Sequence, residues 1–258
     1  MLSRLFGARR SEPEVEEARH SVPQATRVYA IGDIHGRADL LRRLHAAISE
    51  DAKSAPTWRR VAVYLGDYVD RGQESKAVLD ILCHEPLAGF ESVHLLGNHE
   101  DAMLQFLVDP GIGPSWFSNG GDATLYSYGI GHPPASDREE RMRLMSEALR
   151  SKLPPAHYAF LSRLPLSHAE GGYYFVHAGI RPGRPFEEQE KDDLLWIREE
   201  FLRSTARHEK CVVHGHTITP EVDIRPNRVG IDTGAFYTGV LTALVLEGDT
   251  RRLIQTGP

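Results

Sequence analysis

The 258-residue chain predicts a layered α/β fold on three observations. Apolar, β-branched runs alternate with stretches of helical period through the first hundred residues, the order expected of helices packed on a sheet. Five apolar runs stop beside glycine at an Asp, Asn or His, as buried strands do when they deliver polar groups to a ligand-binding sheet edge. The length suits one large domain with a full core, and no internal repeat or second domain is visible.

Taken in order, residues 1–26 are expected to form a tail preceding a domain over 27–258. The first ten residues are short, basic and faintly amphipathic, which leaves a weak membrane-surface or partner element as the other reading. The polar Glu-, Pro- and Ser-bearing stretch after them favours disorder. Val28–Ile31 is the first strand and runs into Gly32-Asp33-Ile34-His35-Gly36. Ala38 to Ile48 is helical, with Asp39 near its start where a carboxylate suits the helix dipole, and His45 on it is read as filling. A polar loop over 51–58 leads to the strand Val61–Leu65, which ends in Gly66-Asp67-Tyr68-Val69-Asp70-Arg71-Gly72. Ser75 to Leu82 is helical, and Val93–Leu96 leads into Gly97-Asn98-His99-Glu100 and a helix to Leu107.

Residues 109–136 break the rhythm. Asp109 to Pro114 reads as loop, and Trp116 to Gly121 brings exposed-type aromatics and glycines, either as a substrate-contacting insertion or as a packed surface loop. Helical patterns over 137–150 and 156–163 follow, so that 109–165 is expected as a cap-like insertion. Tyr173–Val176 then leads into His177-Ala178-Gly179, and Asp192 to Leu202 reads as one helix. Cys211–Val213 leads into His214-Gly215-His216-Thr217, and two strands, around Val229 to Ala235 and Leu241 to Leu246, close the chain.

Composition excludes several classes. A net charge of −6 gives no electrostatic footprint for nucleic acid. No apolar run approaches the roughly 20 residues that span a membrane. The two cysteines, Cys83 and Cys211, are far apart; Cys211 sits in a buried-strand pattern, and the usage fits a reducing, cytoplasmic setting. Asp, Asn and His at the strand ends form an oxygen and nitrogen donor set suited to Mn, Fe or Zn.

The blocks Gly32 to Gly36, Gly66 to Gly72 and Gly97 to Glu100, with the later His177-Ala178-Gly179 and Gly215-His216-Thr217, resemble those of PPP-type phosphoprotein phosphatases, members of the calcineurin-like metallophosphoesterases. The resemblance runs from about Val28 to Ala235 in the right order, and the chain length and the segment from Trp116 to Gly129 look most like the bacterial and phage branch. It implies two central sheets flanked by helices, with two divalent metal ions, Mn first, at the strand C-termini. Asp33 and His35 would hold one metal, Asp67 would bridge both, and Asn98, His177 and His216 would complete the second. His99 and Asp70 would form an acid pair, and Arg71 would bind phosphate. Arg198, in Leu194-Leu195-Trp196-Ile197-Arg198, matches a second phosphate arginine more loosely; a helix-surface arginine is its other reading. His214 matches no ligand position, and Asp232 is expected to hold ligand-bearing loops.

Phosphate monoester hydrolysis needs up to roughly 10²¹-fold acceleration, of which a positioned general acid supplies about 10²–10⁴. Hence the expectation of two metals sharing a hydroxide for in-line attack, a guanidinium fork on the phosphate and His99 protonating the leaving group with Asp70 behind it. The expected activity is a serine/threonine protein phosphatase acting on phosphoprotein or phosphopeptide. A diadenosine polyphosphate hydrolase shares the same blocks, and a non-catalytic module is the remaining reading; intact Asp33, Asp67, Asp70, Arg71 and His99 argue against the last.

Overall fold

The structure is a computed structural model and describes residues 20–257. Ten strands form two five-stranded sheets. The strands are β1 (Thr26–Ile31), β2 (Arg59–Tyr64), β3 (Glu91–His94), β4 (Ser167–Glu170), β5 (Tyr173–Val176), β6 (Cys211–His214), β7 (Asp223–Ile224), β8 (Arg228–Gly230), β9 (Thr242–Glu247) and β10 (Thr250–Gln255). The first sheet has the order β10-β9-β1-β2-β3 and the second β4-β5-β6-β8-β7. β1, β2 and β3 run parallel, as do β5, β6 and β8, while β4, β7, β9 and β10 pair antiparallel to their neighbours.

The pleat sorts side chains onto two faces. Val28 and Ala30 of β1, Val61 and Val63 of β2, and Leu244 and Leu246 of β9 meet Tyr173, Phe175, Cys211, Val213 and Val229 between the sheets. Their alternates Tyr29, Ile31, Ala62, Tyr64, Ala243 and Val245 face the helices that cover the first sheet. Tyr174, Val176 and Val212 of the second sheet pack on Leu194, Ile197 and Phe201. Because both faces of the central strands are buried, β1, β2, β5 and β6 carry near-continuous apolar runs, as in Val28–Ile31 and Tyr173–Val176, and the C-terminal ends of the parallel strands converge at one edge.

Several expectations change. Residues 20–26 belong to the fold: Val22 is buried and donates its N–H to the Gly248 carbonyl, and β1 begins at Thr26. The rest of the expected tail, residues 1–19, lies outside the described residues. The helix expected to end at Ile48 runs over Ala38–Ala52. The expected loop and insertion over 109–136 contain a 3₁₀ turn (Pro110–Ile112) and two short helices, Gly113–Ser118 and Gly121–Ser127. Trp116 is not exposed; it is buried, and with Leu125, Met142, Met145, Leu149 and Leu161 it joins the core outside the first sheet. The segment expected as a cap is therefore part of the helix layer; Trp116, Gly120 and Thr124 reach the strand-end loops, and the Pro165 carbonyl accepts the Leu96 N–H. The single helix expected from Asp192 to Leu202 is two, Lys191–Trp196 and Glu199–Leu202, with Ile197 and Arg198 non-helical between them. Both cysteines are free thiols. Among the described residues no helix is long and apolar enough to cross a membrane.

Candidate metal centre and active site

Asp67 lies at the centre of the converging strand ends, three residues past β2. Its Oδ2 is 3.5 Å from His35 Nε2 and 3.8 Å from His99 Nε2, and its Oδ1 is 3.4 Å from His177 Nε2. One ligand atom each from His35, Asp67 and His99 lie within 4.8 Å of one another, and the same holds for Asp67, His177 and His216. Asn98 Oδ1 and His216 Nδ1 stand 2.9 and 3.2 Å from His177 Nε2. Asp33 accepts the His216 N–H at 3.0 Å, tying the end of the first sheet to that of the second. Asp33, His35, Asp67, Asn98, His177 and His216 are thus brought to one buried place.

The backbone is unusual there. Six non-glycine residues among those described have positive φ, and five of them are His35, Asp67, Asp70, Arg71 and His216. Each left-handed residue costs about 1–2 kcal/mol, and such strain clusters at functional sites. Two glycines permit the close approach: a Cβ on Gly97 would overlap the Asp67 carboxylate, and one on Gly215 would overlap Asp33 Oδ1. These are the glycines that mark the motifs in the sequence.

The imidazoles are set as ligands. His35 and His177 each turn Nδ1 to a backbone carbonyl, Val69 at 2.8 Å and Leu65 at 2.9 Å. Donation there leaves Nε2 as the lone-pair nitrogen in both rings. Burial pushes His35 down to about 3 and His216 to about 2, and lowers His177 too, so all three are neutral as metal ligation requires. Burial opposes the charge on Asp67, but His177, His99, His35 and His216 outweigh it and hold the carboxyl below its ordinary range. Burial, then Asp232 and Asp67, pushes Asp33 well up, and burial pushes Asp232 to about 6. Asp33 Oδ1, His35 Nε2, His216 Nε2 and Asp232 Oδ2 are buried without any hydrogen-bond partner. Buried polar atoms are ordinarily satisfied, and four orphans of ligand type around one carboxylate fit a cation held there.

Beside this cluster stands a second constellation. His99 Nδ1 donates to Asp70 Oδ2 at 2.7 Å. Burial would depress His99, but the Asp67 and Asp70 carboxylates outweigh it and raise the imidazole above its ordinary value. Arg71 Nη2 is 3.3 Å from His99 Nε2, and the guanidinium lies over Phe236 at 4.9 Å. Arg198 is not on a helix surface; it falls in the break after Trp196, with Nη1 3.2 Å from Thr217 Oγ1 and 3.4 Å from the His216 carbonyl. His214 turns away, toward Arg228 at 3.3 Å and edge-on to Phe201. Asp232 accepts the Gly234 N–H at 2.9 Å, steadying the loop after β8.

Four partners were not found from sequence. Trp116 Nε1 donates to Asp70 Oδ2 at 2.7 Å, Thr124 Oγ1 to Asp70 Oδ1 at 2.6 Å, and Ser75 Oγ accepts the Asp70 N–H at 3.0 Å. Glu100 accepts the N–H groups of Asp67, Tyr68, Val69 and Gly97 at 2.7–3.1 Å and so splints the loop that carries Asp67 to the start of the helix Asn98–Val108. Burial and the Asp67 charge push its carboxyl upward, and the N–H donors pull it back toward the anion. The signal was present for Glu100, an acidic residue at the third position of a helix; nothing local marks Trp116 or Thr124.

A fold of two sheets whose parallel strands end in a histidine and carboxylate cluster defines a metal-dependent hydrolase scaffold. Residues 26–238 match the calcineurin-like phosphoesterase family, and the chain belongs to it. It is a metallophosphoesterase, a hydrolase of a family that uses divalent metals, with a His/Asp cluster able to bind them. The chain is 28% identical to an asymmetrical bis(5'-nucleosyl)-tetraphosphatase of Geobacillus thermodenitrificans over 235 residues, 83% of this chain and 88% of that one. It is also 28% identical to serine/threonine-protein phosphatase 2 of Escherichia coli over 225 residues, 83% and 90% of the two chains. A solved structure described as a putative diadenosine tetraphosphatase shares the fold at a TM-score of 0.61 and 22% identity, over 92% of this chain and 99% of that one.

Proposed function

We propose that this protein is a dinuclear-metal phosphomonoesterase acting on phosphoserine and phosphothreonine in proteins, with Mn²⁺ as the preferred metal and Fe or Zn as alternatives. The observation that carries it is the set of orphaned ligand atoms around Asp67 beside an acid pair made by His99 and Asp70. Asp33 and His35 would hold one cation, Asn98, His177 and His216 the other, and Asp67 both. When bound, the cations supply an activated water and neutralise charge on the phosphoryl oxygens. The Arg71 fork binds those oxygens from one side and Arg198 from the other. His99 gives its Nε2 proton to the leaving alkoxide, while Asp70, fixed by Trp116 and Thr124, holds Nδ1–H and keeps the imidazole cationic. The free thiols agree with a cytoplasmic setting.

A dinucleotide polyphosphate is the second reading. It is favoured by two exposed rings at the rim: Trp196, 48% exposed and edge-on to His216, and Tyr237, 61% exposed beside Phe236. Either ring offers a face to a nucleobase. The names of the relatives divide between the two substrate classes.

The test is phosphate release by metal-stripped protein, with and without Mn²⁺, from a phosphopeptide panel and from a diadenosine polyphosphate. Mn²⁺-dependent release from the peptides is expected. Preferential cleavage of the dinucleotide overturns the substrate class, and metal-independent release from either overturns the site.

A further inference from the structure

Three groupings of histidine and carboxylate have ligand geometry among the described residues, and only two involve Asp67. The third is Asp80, His84 and His157. Asp80 and His84 stand one turn apart on the helix Ser75–His84, on one face of it. His157 comes from the helix Pro155–Leu161, and its side chain is fully buried. One ligand atom from each lies within 4.8 Å of the others.

Part of this grouping explains itself. His157 Nε2 is 3.0 Å from Asp80 Oδ1, His157 Nδ1 is 2.8 Å from the Tyr128 hydroxyl, and Lys76 Nζ donates to Asp80 Oδ2 at 2.9 Å. That chain of contacts is complete without His84. Yet His84 completes the ligand triangle, its ring centroid 6.4 Å from that of His157, and its imidazole makes no side-chain hydrogen bond among the described residues. Lys76 occupies one Asp80 oxygen and so directs the other toward the imidazoles.

We propose that Asp80, His84 and His157 form a further metal site, separate from the one around Asp67, that takes a single borderline divalent cation, Zn²⁺ first. Two imidazoles and a carboxylate are a zinc donor set, and the exposed side of His84 leaves room for water as a fourth ligand. The proton balance closes. For Nε2 of His157 to ligate, its hydrogen must sit on Nδ1, and the Tyr128 hydroxyl, both donor and acceptor, serves that tautomer through the same contact. Lys76 keeps the second Asp80 oxygen neutralised. The cation staples the helix Ser75–His84 to the helix Pro155–Leu161. The first of these begins with Ser75, whose Oγ meets the Asp70 backbone, so the staple steadies an element that reaches the acid pair.

The test uses the full chain, stripped of metal, with Zn²⁺ titrated against a chromophoric chelator. Wild type is expected to bind one equivalent more than His84→Ala, a variant at an exposed position that leaves the core intact. Asp67→Asn is expected to retain one tight equivalent and a Zn²⁺-dependent rise in Tm, and both disappear in the Asp67→Asn, His84→Ala double variant. Equal stoichiometry in wild type and His84→Ala overturns the proposal whatever happens at Asp67. So does a Tm rise that survives in the double variant.

Discussion

The cluster around Asp67 and the cluster around Asp80 hold the same kinds of side chain and are built in opposite ways. Around Asp67, loops from five strand ends meet in the interior, five site residues sit in the left-handed region, and ligand-type atoms are buried without partners. Around Asp80, a regular helix supplies two groups by its own period, Lys76 neutralises the carboxylate, and the polar atoms of Asp80 and His157 are satisfied. At about 1–2 kcal/mol for each left-handed residue, the five at Asp67 together cost about 5–10 kcal/mol, as much as a typical domain's whole stability. Backbone of that cost persists only where the surrounding packing over-determines it, here the Glu100 splint and the two glycine contacts. The difference separates a centre shaped for chemistry from one that regular structure produces at no conformational cost.

The sharpest way to break that contrast is Asp67→Asn. Loss of the shared carboxylate is expected to lower metal content by elemental analysis and to cut kcat by about 10³-fold or more, since the cations contribute several kcal/mol of charge stabilisation. Full occupancy in this variant would remove Asp67 from the bridging position. Next in size is His99→Ala, which should keep the metals and lose about 10²–10⁴ in kcat on alkyl phosphates. Aryl phosphates, whose leaving groups need no proton, should suffer less; equal losses on both would sink the acid role. Trp116→Phe should be milder. It removes one donor from Asp70, and a hydrogen bond to a charged group is worth about 1.5–3 kcal/mol, so kcat should fall roughly 10–100-fold with KM little changed. An unchanged kcat would make Trp116 a packing residue only.

The strand ends were legible because their chemistry is local: a glycine that must let backbone pass and a ligand residue beside it occupy adjacent positions. The pair of sheets was legible only through the resemblance and their strand order not at all, since β4, β7 and β10, read as nothing in the sequence, are edge strands such as Ser-His-Ala-Glu and Thr-Arg-Arg-Leu-Ile-Gln whose polar faces look like loop. Trp116 was illegible for another reason. Its aromatic run between glycines reads as surface; what buries it is the core packing around Phe106, and what orients its Nε1 is a carboxylate 46 positions earlier in the chain. Arg198 shows the same limit: an uninterrupted helical pattern concealed a break whose dihedrals, φ −130° and ψ −102°, direct the guanidinium to the His216 carbonyl.

His94 supplies the control for both clusters, a half-buried histidine in the same apolar run as the site motif but with no ligand around it. It stacks on Tyr64 at 4.5 Å and packs edge-on against Phe160, and Tyr64 in turn holds His45 at 2.8 Å. Burial pushes His94 and His45 each down to about 4. Above pH 6.5 both rings are neutral in the folded and the unfolded chain, so they contribute no pH dependence. As pH falls below 6.5 the unfolded chain takes up protons that the folded chain refuses, and stability declines until about pH 4, where the folded rings protonate too. Between pH 7 and pH 5 each ring should account for about 1–2 kcal/mol of lost stability. His94→Phe keeps the stacking and removes one titration. Urea unfolding at the two pH values should therefore show a loss smaller by that amount in the variant than in wild type. An identical loss would mean that His94 charges freely in the folded state and that its packing against Tyr64 and Phe160 does not hold the ring neutral.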